Sequence, residues 1–309
     1  MALDLPTPLT EAPDAISGGR RVLLKHEEKN ELGAFKWRGA LPALQRWREQ
    51  GASTVVTAST GNHGAATAWA ARRLGMQAIV YAPGGASHEK IGLIEHMGAR
   101  IRLVGADLDE AKEQARAYAD RARLPFFEDG AVPAQYQGYE AIGEEICRQC
   151  EPGTVVVPVG NGALIVGVGS AVRRFAPRAR VVGVAAREAP VMEMSWKASR
   201  AVPCDRSATF ADGLAVRVAI PEVVARMRDV VDQMVLVSER ALASGVGAFA
   251  GIGLRVEAAA AAGLSALPQL AGCPEPLVLV VTGGNIDENV WARAVDDPAS
   301  FPESTAEAP

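Results

Sequence analysis

Cysteine is scarce in this chain: four residues among 309, at positions 147, 150, 204 and 273. That is too few for a disulfide framework. Cys147 and Cys150 form a C-x-x-C, but within the helical pattern EAIGEEICRQC and with no second pair, so no zinc site is expected. The four histidines include no H-x-x-x-H or H-E-x-x-H spacing, which argues against a metalloenzyme. Basic residues are scattered and the net charge is −4, which excludes nucleic acid and anionic membrane as expected partners. The opening MALDLPTPLTEAPD carries no basic n-region or apolar h-region, so no signal peptide is read and a cytoplasmic protein is expected. A charge-free run of 19 residues, 154–172, holds Pro158, Asn161 and four glycines, and reads as strand, loop and helix rather than a membrane span. There is no G-x-x-x-x-G-K-[ST]. GVGAFA at 245–250 fits a dinucleotide fingerprint but follows the helix-like ERALAS, so its context rejects that reading.

What is present is alternation. Strands at 54–58, 77–81 and 100–104 are interleaved with helices over 65–74, 87–97 and 108–122, the last opened by the capping pair Asp107 and Glu110. The pattern resumes with helix 138–150, strand 154–159, helix 164–175, strand 180–185, an irregular stretch to about 217, helix 221–230, strand 234–237, helices through 267 and strand 277–281. Short connections between strands and helices call for parallel sheets covered by helices. The fold class is therefore α/β, as two open parallel-type, three-layer domains. The larger takes residues 1–48 and 138–309, the smaller 49–137, and the acidic, proline-rich tail 296–309 is expected to fray.

Three glycine loops fall at strand ends: STGNHG (59–64), GNGA (160–163) and TGGN (282–285). Ligands of open α/β sheets bind beyond such ends, and glycine lets backbone N–H groups approach an anion closely. Lys36, in ELGAFKWRGA after the apolar strand Val22-Leu23-Leu24, sits where a loop opens a helix. Pro42 inside that helix predicts a kink or a late start.

Taken together and in this order, these elements resemble the fold-type II pyridoxal-phosphate enzymes, the tryptophan synthase β-like superfamily. GAFKWRGA resembles the G-S-F-K-x-R-G-A of its threonine/serine dehydratase and serine racemase branch. ATFADGLAV (208–216) resembles T-I-A-D-G-x-A-V, and VEAAAAAGLSAL (256–267) resembles a weakened E-P-x-G-A helix. The resemblance implies pyridoxal 5′-phosphate in a cleft between the domains and a homodimer acting on a small amino acid. It makes Lys36 the Schiff-base lysine and the base at the substrate Cα. Phe35 would pack on the ring and Asn62 bond the 3′-oxygen. Gly160, Asn161, Gly162, Ala163 and Leu164 would wrap the phosphate, and Thr282 would face the ring nitrogen. Ser59, Thr60, Gly61, His63 and Gln137 would hold the substrate, with Thr60 also a candidate catalytic hydroxyl.

A hydroxyl partner such as Thr282 leaves the ring nitrogen neutral and the ring a weaker electron sink, which favours prompt β-elimination. The expected activity is dehydration and deamination of threonine, serine or a related β-hydroxy amino acid to a 2-oxo acid and ammonia. The alternatives are a β- or γ-replacement synthase, suggested by GNGA and ASTGN, and a racemase, suggested by the Thr60 hydroxyl. Ala34 replaces the family's serine. Ala185 and Val191 occupy the places of the racemase cation ligands, so no metal of that type is expected. Glu257 is read equally as a capping carboxylate or a pocket residue.

Overall fold

The computed structural model describes residues 6–303. In chain order its elements are β1 (Leu9–Glu11), α1 (Asp14–Ser17), β2 (Val22–His26), α2 (Trp37–Glu49), β3 (Thr54–Ala58), α3 (Asn62–Arg73), β4 (Gln77–Ala82), α4 (His88–His96), β5 (Arg100–Leu103), α5 (Leu108–Ala122) and α6 (Pro133–Gln149). Then come β6 (Thr154–Pro158), α7 (Ala163–Phe175), β7 (Arg180–Ala186), α8 (Val191–Ala198), α9 (Pro221–Val230), β8 (Gln233–Val237), α10 (Glu239–Gly251), α11 (Ala258–Ser265), β9 (Leu277–Val281) and α12 (Glu288–Asp296).

Two compact units emerge. One runs to Ala34 and resumes at Tyr139, and carries a six-stranded sheet in the order β1-β2-β9-β6-β7-β8. Among its described strands only the β1–β2 pair is antiparallel. Strands β6 and β9, TVVVP and LVLVV, are buried along their whole length, the continuous apolar pattern that a sheet covered on both faces demands. Helix α11 is nearly all alanine and glycine and is buried on every side, so it lies close against β6 and β9.

The other unit, Phe35–Gly138, carries the parallel sheet β3-β4-β5. It also includes α2, which the sequence boundary near residue 48 assigns to the larger domain. The reason is aromatic packing: Trp37 meets Trp69 of α3 edge-on at 6.0 Å, and Trp47 meets Phe127 at 5.6 Å. Helix α2 neither starts late nor breaks at Pro42. Proline removes the donor that would serve the Arg38 carbonyl, and Gly138 presses against that carbonyl instead. A Cβ at residue 138 would come within 1.9 Å of the oxygen.

Other departures have local causes. The Asp107–Glu110 cap forms as expected, with Glu110 N–H donating to Asp107 Oδ1 at 2.9 Å. The stretch 186–212 contains α8, and α6 begins at Pro133, where a missing N–H costs a helix nothing. Residues 296–303, expected to fray, are packed: Phe301 is buried against Phe210 with ring centroids 4.4 Å apart, and Arg240 donates to its carbonyl. Residues 304–309 of the expected tail lie outside the described residues.

Strand β2 does not stop at Leu24 but continues through Lys25 and His26. Lys25 is fully buried, and its ammonium donates to Glu145 Oε2 at 2.6 Å, Gln149 Oε1 at 2.9 Å and the Thr7 carbonyl at 2.8 Å. Its three donors are thereby used, the condition for burying a charge. K25M leaves the Glu145 carboxylate buried without its cation. It should lower unfolding stability by about 3 kcal/mol in a denaturant titration; a loss under about 1 kcal/mol would show that the pair is dispensable.

Candidate active site

Lys36 caps α2 in a helical backbone conformation, so its side chain projects from the first turn of a well-packed helix. Its Nζ donates to Asp129 Oδ2 at 2.5 Å and lies 5.2 Å from the centre of the Phe35 ring. Asp129 is in turn held by Gln135 Nε2 at 3.1 Å and faces His63 Nδ1 at 3.5 Å. The other nitrogen of His63 lies 3.1 Å from both Thr57 Oγ1 and the Phe127 carbonyl. Gln135 is anchored by accepting from the Gly130 N–H at 2.9 Å. A lysine thus stands in a closed polar cluster within one unit, its amine fixed but still 17% exposed.

Burial pushes the His63 ring down, more than the Asp129 carboxylate lifts it, so the ring is neutral near pH 7. Burial by itself would raise the Asp129 carboxyl. The charges of Lys36 and His63, with hydrogen bonds from Lys36 and Gln135, overcome that and hold it well below the usual carboxylate range.

The STGNHG loop opens α3. Gly61 precedes the helix without a side-chain cap, and its N–H donates to Ser59 Oγ at 3.1 Å. Among the described residues no backbone carbonyl accepts from the N–H groups of His63 or Gly64. These first-turn donors need an acceptor from outside the helix, and a carboxylate meets that need. Ser59 is buried, whereas Thr60, Gly61 and Asn62 are half-buried. Gln137 is exposed on α6 and is not brought to this cluster; the glutamine turned toward Asp129 is Gln135, two residues earlier.

In the other unit GNGA opens α7. Gly162 takes φ +87°, and Asn161 Oδ1 accepts from the Ala163 N–H at 3.0 Å. Among the described residues the N–H groups of Gly160, Asn161, Gly162, Leu164 and Ile165 have no backbone carbonyl partner. Gly160 cannot carry a side chain, because a Cβ would meet the Gly213 carbonyl of the FADGLAV segment at 2.2 Å. A loop of uncommitted N–H groups at a helix N-terminus fits a phosphate.

The third loop, TGGN, opens no helix. It is stitched to the segment before Lys36: Ala34 bridges Gly283, the Gly284 N–H donates to the Gly33 carbonyl at 2.9 Å, and Asn285 Nδ2 to the Leu32 carbonyl at 2.7 Å. Thr282 is buried and donates to Glu257 Oε1 at 3.1 Å. Glu257, undecided from sequence, thus faces the TGGN loop.

Asp129 and the Thr282 contact of Glu257 were missed from sequence, whereas Gln135 lies in the stretch 135–138 that the sequence marks as shaping the substrate side-chain pocket. The paired acids Glu128-Asp129 at the end of LPFFED were a signal, yet nothing there separates them. Glu128 takes surface ion pairs with Lys112 and Arg116, and only Asp129 turns to the lysine. Among the described residues no cluster of His, Cys, Asp and Glu could hold a metal ion, and no helix is long and apolar enough to cross a membrane.

Residues 2–283 match the family model described as pyridoxal-phosphate dependent enzyme. An L-threonine ammonia-lyase of Geobacter sulfurreducens is 34% identical over 284 residues, covering 90% of this chain and 70% of that protein. A biosynthetic L-threonine dehydratase of Pasteurella multocida is 31% identical over 71% of this chain, which spans only 43% of that protein. The processed form of threonine deaminase isoform 2 from Solanum lycopersicum superposes with a TM-score of 0.89 at 28% identity, covering 94% of this chain and 87% of that one.

A group whose folded pKa lies below its unfolded value binds more protons when unfolded, so stability rises with pH across that window. Stability should therefore fall as pH drops below about 6.5, where an unfolded His63 takes up a proton that the buried ring resists. It should fall again below about pH 4 through Asp129. In urea titrations across this range H63N should flatten the first slope and D129N the second; wild-type slopes in both variants would refute the assignment.

Proposed function

We propose that this chain, which belongs to the family of pyridoxal-phosphate dependent enzymes, is an ammonia-lyase for threonine, serine or a related β-hydroxy amino acid. The observation that carries the reading is the loop 160–163, where the N–H groups of Gly160, Asn161 and Gly162, continued by that of Leu164, have no backbone carbonyl partner among the described residues and fit the phosphate of the family's cofactor. The relatives named as threonine ammonia-lyases support the choice of reaction and substrate.

Pyridoxal phosphate supplies an electron-withdrawing ring that stabilises negative charge at a substrate Cα. The chain does the rest. Lys36 holds the cofactor through its amine and takes the Cα proton, and Asp129 anchors that amine whenever it is unlinked. Phe35 packs on the ring, Asn62 bonds the 3′-oxygen and Thr282 stands at the ring nitrogen. Gly160, Asn161, Gly162, Ala163 and Leu164 hold the phosphate. Ser59, Thr60, Gly61 and the His63 N–H receive the substrate carboxylate at the start of α3, where the helix dipole favours an anion. The Cα–H and Cβ–O bonds break, water leaves, and hydrolysis of the released enamine yields a 2-oxo acid and ammonia. The assembly is a homodimer in the cytoplasm.

Protein loaded with pyridoxal phosphate should convert threonine or serine to 2-oxo acid and ammonia in equal amounts. K36A should lose the visible absorbance of the lysine-linked cofactor and about a thousandfold or more of the rate. No 2-oxo acid from any β-hydroxy amino acid would end the lyase reading. Unchanged absorbance in K36A would end the assignment of Lys36.

A further inference from the structure

Strand β1 carries an exposed hydroxyl at the end of a chain of hydrogen bonds. Thr10 Oγ1 lies 2.7 Å from His26 Nε2, and His26 Nδ1 lies 2.6 Å from Glu28 Oε1. Thr10 is exposed, whereas the side chains of His26 and Glu28 are only 4% and 6% exposed. The three meet because β1 and β2 pair antiparallel with Thr10 opposite Leu24. Residues two apart in a strand share a face, so His26 stands diagonally beside Thr10. Glu28 follows two residues later, just past the end of β2.

A carboxylate only accepts, so against Glu28 the His26 ring carries its proton on Nδ1. Nε2 then faces the Thr10 hydroxyl as an acceptor. Among the described residues the other Glu28 oxygen, Oε2, is buried and has no hydrogen-bond partner. A buried carboxylate that leans on one imidazole stabilises the positive ring formed when that imidazole takes a hydroxyl proton. A hydroxyl, a base and a group that orients the base are the parts of an activated nucleophile. The sheet edge adds donors. The His26 N–H donates to the Pro8 carbonyl at 3.0 Å, and the Ala12 N–H to the Val22 carbonyl at 2.9 Å. By the alternation of an antiparallel ladder, the N–H groups of Leu9 and Glu11 point away from β2. Strand β1 is the outer strand of its sheet, so these open donors flank Thr10 and can serve a developing oxyanion.

We propose that Thr10 is an acyl-accepting nucleophile, with His26 as its base and Glu28 as the positioning residue for that base. The lyase reading uses none of the three, and the proposal does not rest on it. Thr10 Oγ1 attacks the carbonyl carbon of an ester while His26 Nε2 takes the hydroxyl proton. The carbonyl re-forms as the ester C–O bond breaks, and His26 gives the proton to the departing alcohol. The products are an acyl-threonine and a free alcohol. The hydroxyl stands on an open strand, and the segment Leu9–Glu11 holds no cation, so the substrates are small uncharged esters.

The probe is p-nitrophenyl acetate, added to protein loaded with pyridoxal phosphate, with acetyl groups located by peptide fragmentation. Thr10 should be acetylated. The Ser199 hydroxyl, exposed and bonded to no imidazole among the described residues, should stay free. T10S should react at least as fast as wild type, and T10V should take no acetyl at this position. E28Q and H26N should slow Thr10 acetylation about a hundredfold, while lysine acetylation elsewhere runs at the wild-type rate. Thr10 left free in wild type, or acetylated in E28Q at the wild-type rate, would overturn the proposal. Neither result bears on the lyase reading, which is judged by 2-oxo acid formed from threonine or serine.

Discussion

A helix that starts at the end of a buried parallel strand leaves its first N–H groups without partners, and these must be answered by something other than the helix. Among the described residues α3 and α7 follow such strands with a glycine standing where a capping side chain would otherwise serve, and they leave most of their first N–H groups without a backbone partner. Ordinary helices in the same molecule show the contrast. Asp107 caps α5 and Ser238 caps α10 with their own oxygens. An uncapped start at the end of a well-packed strand forgoes about 1 kcal/mol of local stability. In return it presents fixed dipoles to an anion with no reorganisation.

Around those two helix starts the polar side chains are paired so that each governs a neighbour's proton. Asp129 fixes the amine of Lys36 and is itself fixed by Gln135 beside a neutral His63. Glu257 accepts from the Thr282 hydroxyl at 3.1 Å. The burial of Lys25 with Glu145 and Gln149 follows the same rule to a different end, joining β2 to α6.

Much of this was legible in the sequence because it lies in local pattern. The strands and helices are continuous or periodic apolar runs, and STGNHG and GNGA announce helix starts by glycine and position. Rejecting GVGAFA as a nucleotide loop also needed only its flanks, and it lies inside α10. What was not legible depends on contacts between segments remote in sequence. Lys36 and Asp129 are separated by 93 positions and Thr282 and Glu257 by 25. The placement of α2 depends on Trp37 and Trp47 finding Trp69 and Phe127. TGGN reads as a third ligand loop, but glycine reads alike whether it admits an anion, a side chain or another backbone. Here Gly283 and Gly284 also pair with the backbone of Ala34 and Gly33, and Gly283 leaves room for the Glu257 carboxylate. The charged run after Leu24 looked like a strand end because burial of Lys25 needs partners at 145 and 149 that no local window contains.

The most direct test of the whole account is the crystal structure of the protein loaded with pyridoxal phosphate. The account predicts continuous density from Lys36 Nζ to the cofactor, with the phosphate on the N–H groups of residues 160–164. A cofactor joined to another lysine, or a phosphate lodged away from that loop, would contradict it.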